Sequence, residues 1–369
     1  MVKYLTIFGV IIGLIIISII GLGFWLNKAN AHYVWKKIKD EKMTSSVVFN
    51  VNGETKLDVR SDELMPLAST VKIVVALEYA YQVEEGKLDP KEQVDLDELE
   101  KYYVPKLDGG AHEAWVGFLG ENDYLENNRV SLQEVTRGMI AFSSNANTEY
   151  LMKKLGLENI EHRMLELGIR DHTPLFYFTS ALFIPYELKM RDYPDKSIEE
   201  GKDKIIQAMH DMSDEDWIEM SSIINEKLTN DAETYKKNAE ISEWWDEDFD
   251  LLFSETFIKS TTSEYAKLMA MINNEELPPI AQEELEYSLG MIMENETNQQ
   301  WLKRAGKKGG STQYILTDAI FAEDKQGNKF EIVIFFDDLK WYEGFKLTNS
   351  LNEFELKLLS DESFRDEIL

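Results

Sequence analysis

The sequence predicts an α+β fold in which one antiparallel sheet takes strands from both ends of the chain while the helices between them form their own layer. Alternating, β-branched segments bounded by turn residues lie near the start and near the end of the chain. The long stretch that separates them is dominated by helical periodicity and helix caps. A third feature adds one N-terminal transmembrane helix: Tyr4 to Leu26 is 23 residues without a charge, rich in Ile, Leu, Val and Phe, about the ~20 that a helix needs to cross the hydrocarbon core.

With 369 residues, 44% of them hydrophobic, the chain can bury a large core. Lys plus Arg number 39 against 68 Asp plus Glu, a net charge of -29. So acidic a protein does not suit nucleic acid, whose phosphates need clustered positive charge. The absence of cysteine excludes thiol catalysis, disulfides and Cys-ligated zinc. His112 has no second His at metal-binding spacing and reads as a surface or packing residue. No metal or cofactor is expected.

Residues 1–31 read as an anchor and linker, and residues 32–369 as one domain. Ala29-Asn30-Ala31 has the small-x-small look of a signal-peptide cleavage site. The apolar run is much longer than the ~7–15 residues of an ordinary signal-peptide core, which favours an uncleaved anchor. Lys28, Lys36, Lys37, Lys39 and Lys42 outnumber Lys3 on the other side. Taken literally, the positive-inside rule keeps the domain in the cytoplasm, but that rule is weak where a large domain follows.

Residues 46–59 read as a β-hairpin, Ser46 to Val51 and Thr55 to Val59, around the two-residue turn Asn52-Gly53. An apolar helix then runs from Ser69 to about Gly86, hydrophobic almost all round as a central buried helix is. Residues 87–129 are looser. Ser131 with Glu134 forms a capping-box pattern opening a helix to about Phe142, and a second helix runs from Asn147 to Leu155. Residues 186–258 are strongly acidic with helical patterning, and Trp217, Trp244, Trp245 and Phe249 exclude simple disorder. This stretch reads as a helical insertion that packs, or that recognises a partner. Thr261 and Glu264 start another helix, and Lys308-Gly309-Gly310-Ser311 opens a strand, Thr312 to Ala322, paired with Phe330 to Phe336. Leu351 to Leu359 looks helical.

Chemistry concentrates in three short motifs. In Ser69-Thr70-Val71-Lys72 the i, i+3 spacing lets an amine reach a hydroxyl at a helix N-terminus, where free N–H groups can stabilise an oxyanion. Alone, that spacing fits a helix cap with a surface lysine equally well. Ser143-Ser144-Asn145 lies on a short link between two helices, and Lys308-Gly309-Gly310-Ser311 follows in order. Together the three resemble the S-x-x-K, S-x-N and K-T-G set of class A β-lactamases and penicillin-binding proteins. The resemblance covers about residues 44–369, with residues 186–258 outside it, and implies a β-lactamase/transpeptidase-like fold.

It further implies Ser69 as the nucleophile opening an amide or lactam carbonyl, with Lys72 as its base and Ser143 passing the proton to the leaving nitrogen. Asn145 would bond the substrate's side-chain amide, and Lys308, Gly310 and Ser311 would bind substrate, the Ser69 and Ser311 N–H groups forming the oxyanion hole. The implied substrate is a small or peptide-like molecule with a carboxylate, and Lys303, Arg304 and Lys307 add local positive charge that suits it or simply face solvent. Substrates of such a family lie outside the cytoplasm, which sets the orientation as extracytoplasmic. A peptidase or esterase on the same scaffold, and a non-catalytic membrane-bound sensor or scaffold, are the alternatives. Two departures stand out: Gly309 replaces the usual Thr or Ser, and the Glu-x-x-x-Asn loop that activates the deacylating water is missing. Glu166 and Glu187 are the carboxylates nearest to that role, Glu166 being better read as a helix-surface charge.

Overall fold

The Asn52-Gly53 turn fixes the first hairpin, because both residues take positive φ, 54° and 79°, as a two-residue turn between twisted strands requires. It joins β1 (Thr44–Val51) to β2 (Glu54–Val59). In this computed structural model, which describes residue 23, residues 25–105 and residues 107–369, the remaining strands of the main sheet come from the other end of the chain. They are β3 (Leu302–Ser311), β4 (Leu316–Asp324) and β5 (Lys329–Asp337). The order is β2-β1-β5-β4-β3, antiparallel throughout.

The predicted anchor, Tyr4 to Leu26, lies almost wholly outside the described residues. Among the described residues no helix is long and apolar enough to cross a membrane.

Strand periodicity sends alternate side chains to opposite faces, and both faces of this sheet are covered. Val48, Ala319, Phe321, Val333 and Phe335 join the large helical core. Val47, Phe49, Ile320, Ile332, Ile334 and Phe336 pack instead against α1 (Ala31–Ile38) and the long C-terminal helix. At the centre of the helical layer is α2 (Lys72–Glu84), with Lys72 to Ala80 buried without interruption. The link after the second motif leads into α3 (Asn145–Leu155). Ser131 and Thr261 cap their helices as expected, accepting from the N–H groups of Glu134 and Glu264. Neither carboxylate returns to complete the box; Glu134 binds the Tyr287 hydroxyl and Glu264 the Arg170 N–H.

One expectation changes. The third motif does not open a strand but ends one, β3, which sequence reading missed because Leu302 to Ser311 is rich in Lys and Gly, both poor strand formers. The insertion packs, the first of its two readings. Its main helices α4 (Asp214–Ala239) and α5 (Glu247–Glu255) put Trp217, Ile224, Leu228, Phe249 and Leu252 into the same core as α2. Beyond it, α6 (Thr262–Asn273) lies across β1, β4 and β5, and α7 (Trp341–Ser360) lies on the other sheet face, a longer helix than Leu351 to Leu359.

Trp217 tests that integration. It packs against Phe176 and Phe253 at ring-centroid distances of 5.5 and 6.1 Å. Trp217→Ala is expected to cost about 3–5 kcal/mol and to lower the midpoint of a single unfolding transition measured by calorimetry. Two transitions, only one of them shifted, would make the insertion a separate unit.

Candidate active site

The backbone around Ser69 is held in an uncommon conformation. Ala68 has φ 44° and opens a single 3-10 turn, Ala68–Val71, that runs into α2. Ser69 is half-buried, and neither its hydroxyl nor its N–H makes a hydrogen bond among the described residues. Thr317 of β4 braces the turn, its hydroxyl 2.7 Å from that of Thr70 and donating to the Leu67 carbonyl at 2.8 Å. The second motif follows a widened π turn, Gly138–Phe142, and Ser143 sits at φ 68°. Ser144 points inward, caps α3, and is bonded at 2.9 Å by the ring of buried His112. His112 is therefore a packing residue that steadies the loop.

These turns bring all three motifs together. Lys72, fully buried, donates to the Ser143 carbonyl at 2.6 Å and to Asn145 Oδ1 at 2.7 Å, with the Ser143 hydroxyl 3.2 Å away. Among the described residues Lys72 makes no hydrogen bond to the Ser69 hydroxyl, the contact that the i, i+3 spacing led one to expect; it binds the second motif instead, where two fixed carbonyl-type acceptors outcompete a rotatable hydroxyl. Lys308 approaches the same Ser143 hydroxyl at 3.0 Å and donates to the Gly309 carbonyl at 2.6 Å. Burial, and then the charge of Lys308, holds the Lys72 amine well below its ordinary value, against the pull of Asp108. Burial also brings Lys308 down to about 7, with Asp318 opposing and Lys307 adding to the effect. A neutral Lys72 has two N–H groups for its two carbonyl acceptors and a lone pair left for a hydroxyl proton.

Ser69, Asn145 and Ser311 line both lobes of one cleft. The larger lobe, about 630 Å³, is polar and holds Ser143, Lys307, Gly309, Gly310 and Asp318. The smaller, about 180 Å³, is walled by Leu107, Phe178 and Leu182 with Trp245, Phe253 and Phe257 of the insertion. That wall was not anticipated; the aromatic run in the insertion was its one sequence signal. The positive charge expected from Lys303, Arg304 and Lys307 is neutralised: the first two pair with Glu323, and Lys307 lies 2.7 Å from both Asp318 and Glu355. Burial disfavours the Lys307 charge, but those two carboxylates outweigh it and raise its pKa. Glu166 bonds Arg163, Glu187 bonds Lys227 and Tyr235, and neither lines the cleft.

The family model of the beta-lactamase enzyme family matches residues 32–353. The chain belongs to the β-lactamase enzyme family. Among solved structures, a β-lactamase from Chitinophaga pinensis DSM 2588 is similar at TM-score 0.52 and 14% identity, over 89% of this chain and 99% of that one. A β-lactamase from Sphaerobacter thermophilus DSM 20745 matches at TM-score 0.52 and 14% identity, over 89% and 96%. The TLA-3 extended-spectrum β-lactamase matches at 0.51 and 12%, over 89% and 98%. At these identities the likeness is one of fold. No curated protein sequence matches the chain.

Within this β-lactamase-family fold the third motif has two unlike glycines. A Cβ on Gly310 would lie 2.5 Å from the Ser69 backbone nitrogen and 2.7 Å from Thr317 Oγ1, so only glycine lets β3 approach the Ser69 turn this closely. A Cβ on Gly309 would meet Asp318 Oδ2 at 3.5 Å, an ordinary contact. Gly310→Ala is expected to cost about 1–3 kcal/mol by overpacking, read as a shift in urea midpoint. Gly309→Ala should be neutral or stabilising by up to about 1 kcal/mol, and equal losses at both positions would contradict this account.

Proposed function

We propose that the protein is a membrane-anchored, extracytoplasmic serine hydrolase that forms an acyl-enzyme on Ser69 with a β-lactam or related amide. The observation that carries this reading is the convergence of two buried lysine amines on the Ser143 hydroxyl beside the Ser69 turn. The Ser69 oxygen attacks the carbonyl while the neutral Lys72 amine takes its proton. Charge developing on the carbonyl oxygen is met by the N–H groups of Ser69 and Ser311. When the C–N bond breaks, the leaving nitrogen takes the Ser143 hydroxyl proton, which the Lys72 ammonium replaces. Asn145, its Oδ1 engaged by Lys72, keeps its NH₂ for the substrate's side-chain amide. Lys308 attracts the substrate carboxylate into the polar lobe.

The anchor reading gains support where the chain enters the domain. Asn30 caps α1 by accepting from the Tyr33 N–H, and buried Lys346 of α7 donates to the Trp25 carbonyl at 2.5 Å and to that of Lys28. Cleavage after Ala31 would remove these ties. Protease added to intact cells is expected to digest residues 32–369; protection of the whole chain would restore the cytoplasmic orientation.

A fluorescent penicillin should label the protein, and Ser69→Ala should abolish the label. Lys72→Ala should slow acylation by orders of magnitude with the fold retained. The ester should persist for many minutes, giving a burst and then slow turnover. A positioned base is worth about 10²–10⁴-fold, yet Asp108 is held by the Gly110 and His112 N–H groups and Asp318 by Lys307. Rapid steady hydrolysis of a chromogenic lactam would sink this expectation.

The pH dependence has a definite sign. Lys308 is charged below about 7 and neutral above it, so the second-order acylation rate with an anionic lactam should fall as pH rises through that region. The apparent value belongs to the Lys72–Lys308 pair. Lys308→Arg, which stays charged, should move the falling limb to higher pH; an unmoved limb would assign it to another group.

A further inference from the structure

The acyl-enzyme reading leaves the chemistry of the smaller lobe unused. Its walls are aromatic and aliphatic, and Asp250 of α5 is set among them. Its volume, about 180 Å³, is the share of roughly six water molecules at ~30 Å³ each, enough for a short side chain. Asp250 is half-buried, and its Oδ1 accepts from the Trp245 indole N–H at 2.6 Å. No cation pairs with it among the described residues. Its neighbours differ: Asp246 and Asp248 both pair with Lys202. Burial raises the pKa of Asp250, the Trp245 bond opposes this, and Asp246 and Glu247 push it further up. The carboxylate thus stands in an environment that lacks a positive charge, facing a cleft it shares with Ser69.

Resting on the acyl-enzyme reading, we infer that this lobe receives a protonated amine on a short apolar stem, carried on the acyl side of the substrate, with Asp250 as its counter-ion. The stem packs on Leu107, Phe178 and Leu182. The ammonium sits between the carboxylate and the faces or edges of Trp245 and Phe253, where ion pairing and ring quadrupoles act together. The two lobes then differ in charge: Asp250 lines the smaller, taken as the acyl side of Ser69, and the Ser143 hydroxyl that Lys308 approaches lines the larger, taken as the leaving-group side. The substrate class that matches is a zwitterion, an amide or lactam with a basic acyl side chain and a carboxylate beyond the scissile bond. The residues that confer this, Trp245 to Phe257, come from the insertion.

The test uses two penicillins that differ in one atom position of the acyl chain, 6-aminohexanoyl and heptanoyl, which are nearly isosteric. Acylation rates on the full-length protein are followed by intact mass. The amine-bearing penicillin is expected to acylate about tenfold faster, the scale of a charge-assisted hydrogen bond. Asp250→Asn should bring the ratio towards one, and Trp245→Phe, which frees the carboxylate from its indole partner, should change it by less. A wild-type ratio near or below one, with both compounds labelling Ser69, overturns the inference while leaving the acyl-enzyme reading intact. An Asp250→Asn protein that loses its acyl group more slowly from both compounds, at an unchanged ratio, also overturns it and makes Asp250 a water-activating group. Labelling by neither compound overturns the acyl-enzyme reading and this inference with it.

Discussion

Two lysine amines buried against one serine hydroxyl set the terms for the rest of the molecule. Each lies within 3.2 Å of Ser143 Oγ, so their nitrogens are no more than about 6 Å apart. Two full charges at that separation repel by roughly 3 kcal/mol at an effective dielectric of about 20, before the loss of hydration is counted. Both sites therefore cannot be ionised together near neutrality. The asymmetry between them decides which is neutral: Lys308 has Asp318 nearby, whereas Lys72 has only the more weakly placed Asp108 and two carbonyl-type acceptors. Lys72 is thus the amine that gives up its proton more readily, as the proposed base must.

That electrostatic arrangement exists because the sheet is closed by both ends of the chain. Lys308 is on β3 and Ser143 on the helical layer, and the two meet only when β3 has paired with β4 and β4 with β5 beside β1. Asp318, which tunes Lys308, is itself paired with Lys307, and Lys307 also pairs with Glu355 of α7. Burial raises the Glu355 pKa, and Asp318 adds to it.

Much of the catalytic layout was legible in sequence because it is local or ordered. The Asn52-Gly53 turn and the apolar helix after Ser69 are found as read, and the three motifs do lie around one cleft, though the third ends a strand instead of opening one. Their convergence on the Ser143 hydroxyl could not be derived from spacing, since it depends on tertiary packing. The strand β3 was missed because Lys and Gly carry no strand signal, and its membership of the sheet is fixed by pairing with β4. The charges of Lys303, Arg304 and Lys307 were visible but their partners were not, as Glu323 is 19 or more residues away and Glu355 is 48. The insertion announced its aromatics, yet only packing shows that Trp245, Phe253 and Phe257 form a wall of the cleft. The anchor expected at Tyr4 to Leu26 was read from hydropathy and lies almost wholly outside the described residues.

Strain shows why the site needs this whole framework. Ala68 and Ser143 both hold a left-handed backbone that costs of order 1–3 kcal/mol for a residue with a side chain. Such conformations persist only where the surroundings over-determine them. At Ala68 the constraint comes from the Thr317 bonds to Thr70 and Leu67, and from the fit of Gly310 against the Ser69 nitrogen. At Ser143 it comes from Lys72 on its carbonyl and from the buried Ser144, His112 and Asn147 cluster that follows. Each strained residue lies on the helical layer, and at Ala68 the group that holds it lies on the sheet. The Ser69 turn is thus stable only in the assembled domain, which ties the proposed chemistry of Ser69 to the integrity of contacts between residues some 250 positions apart.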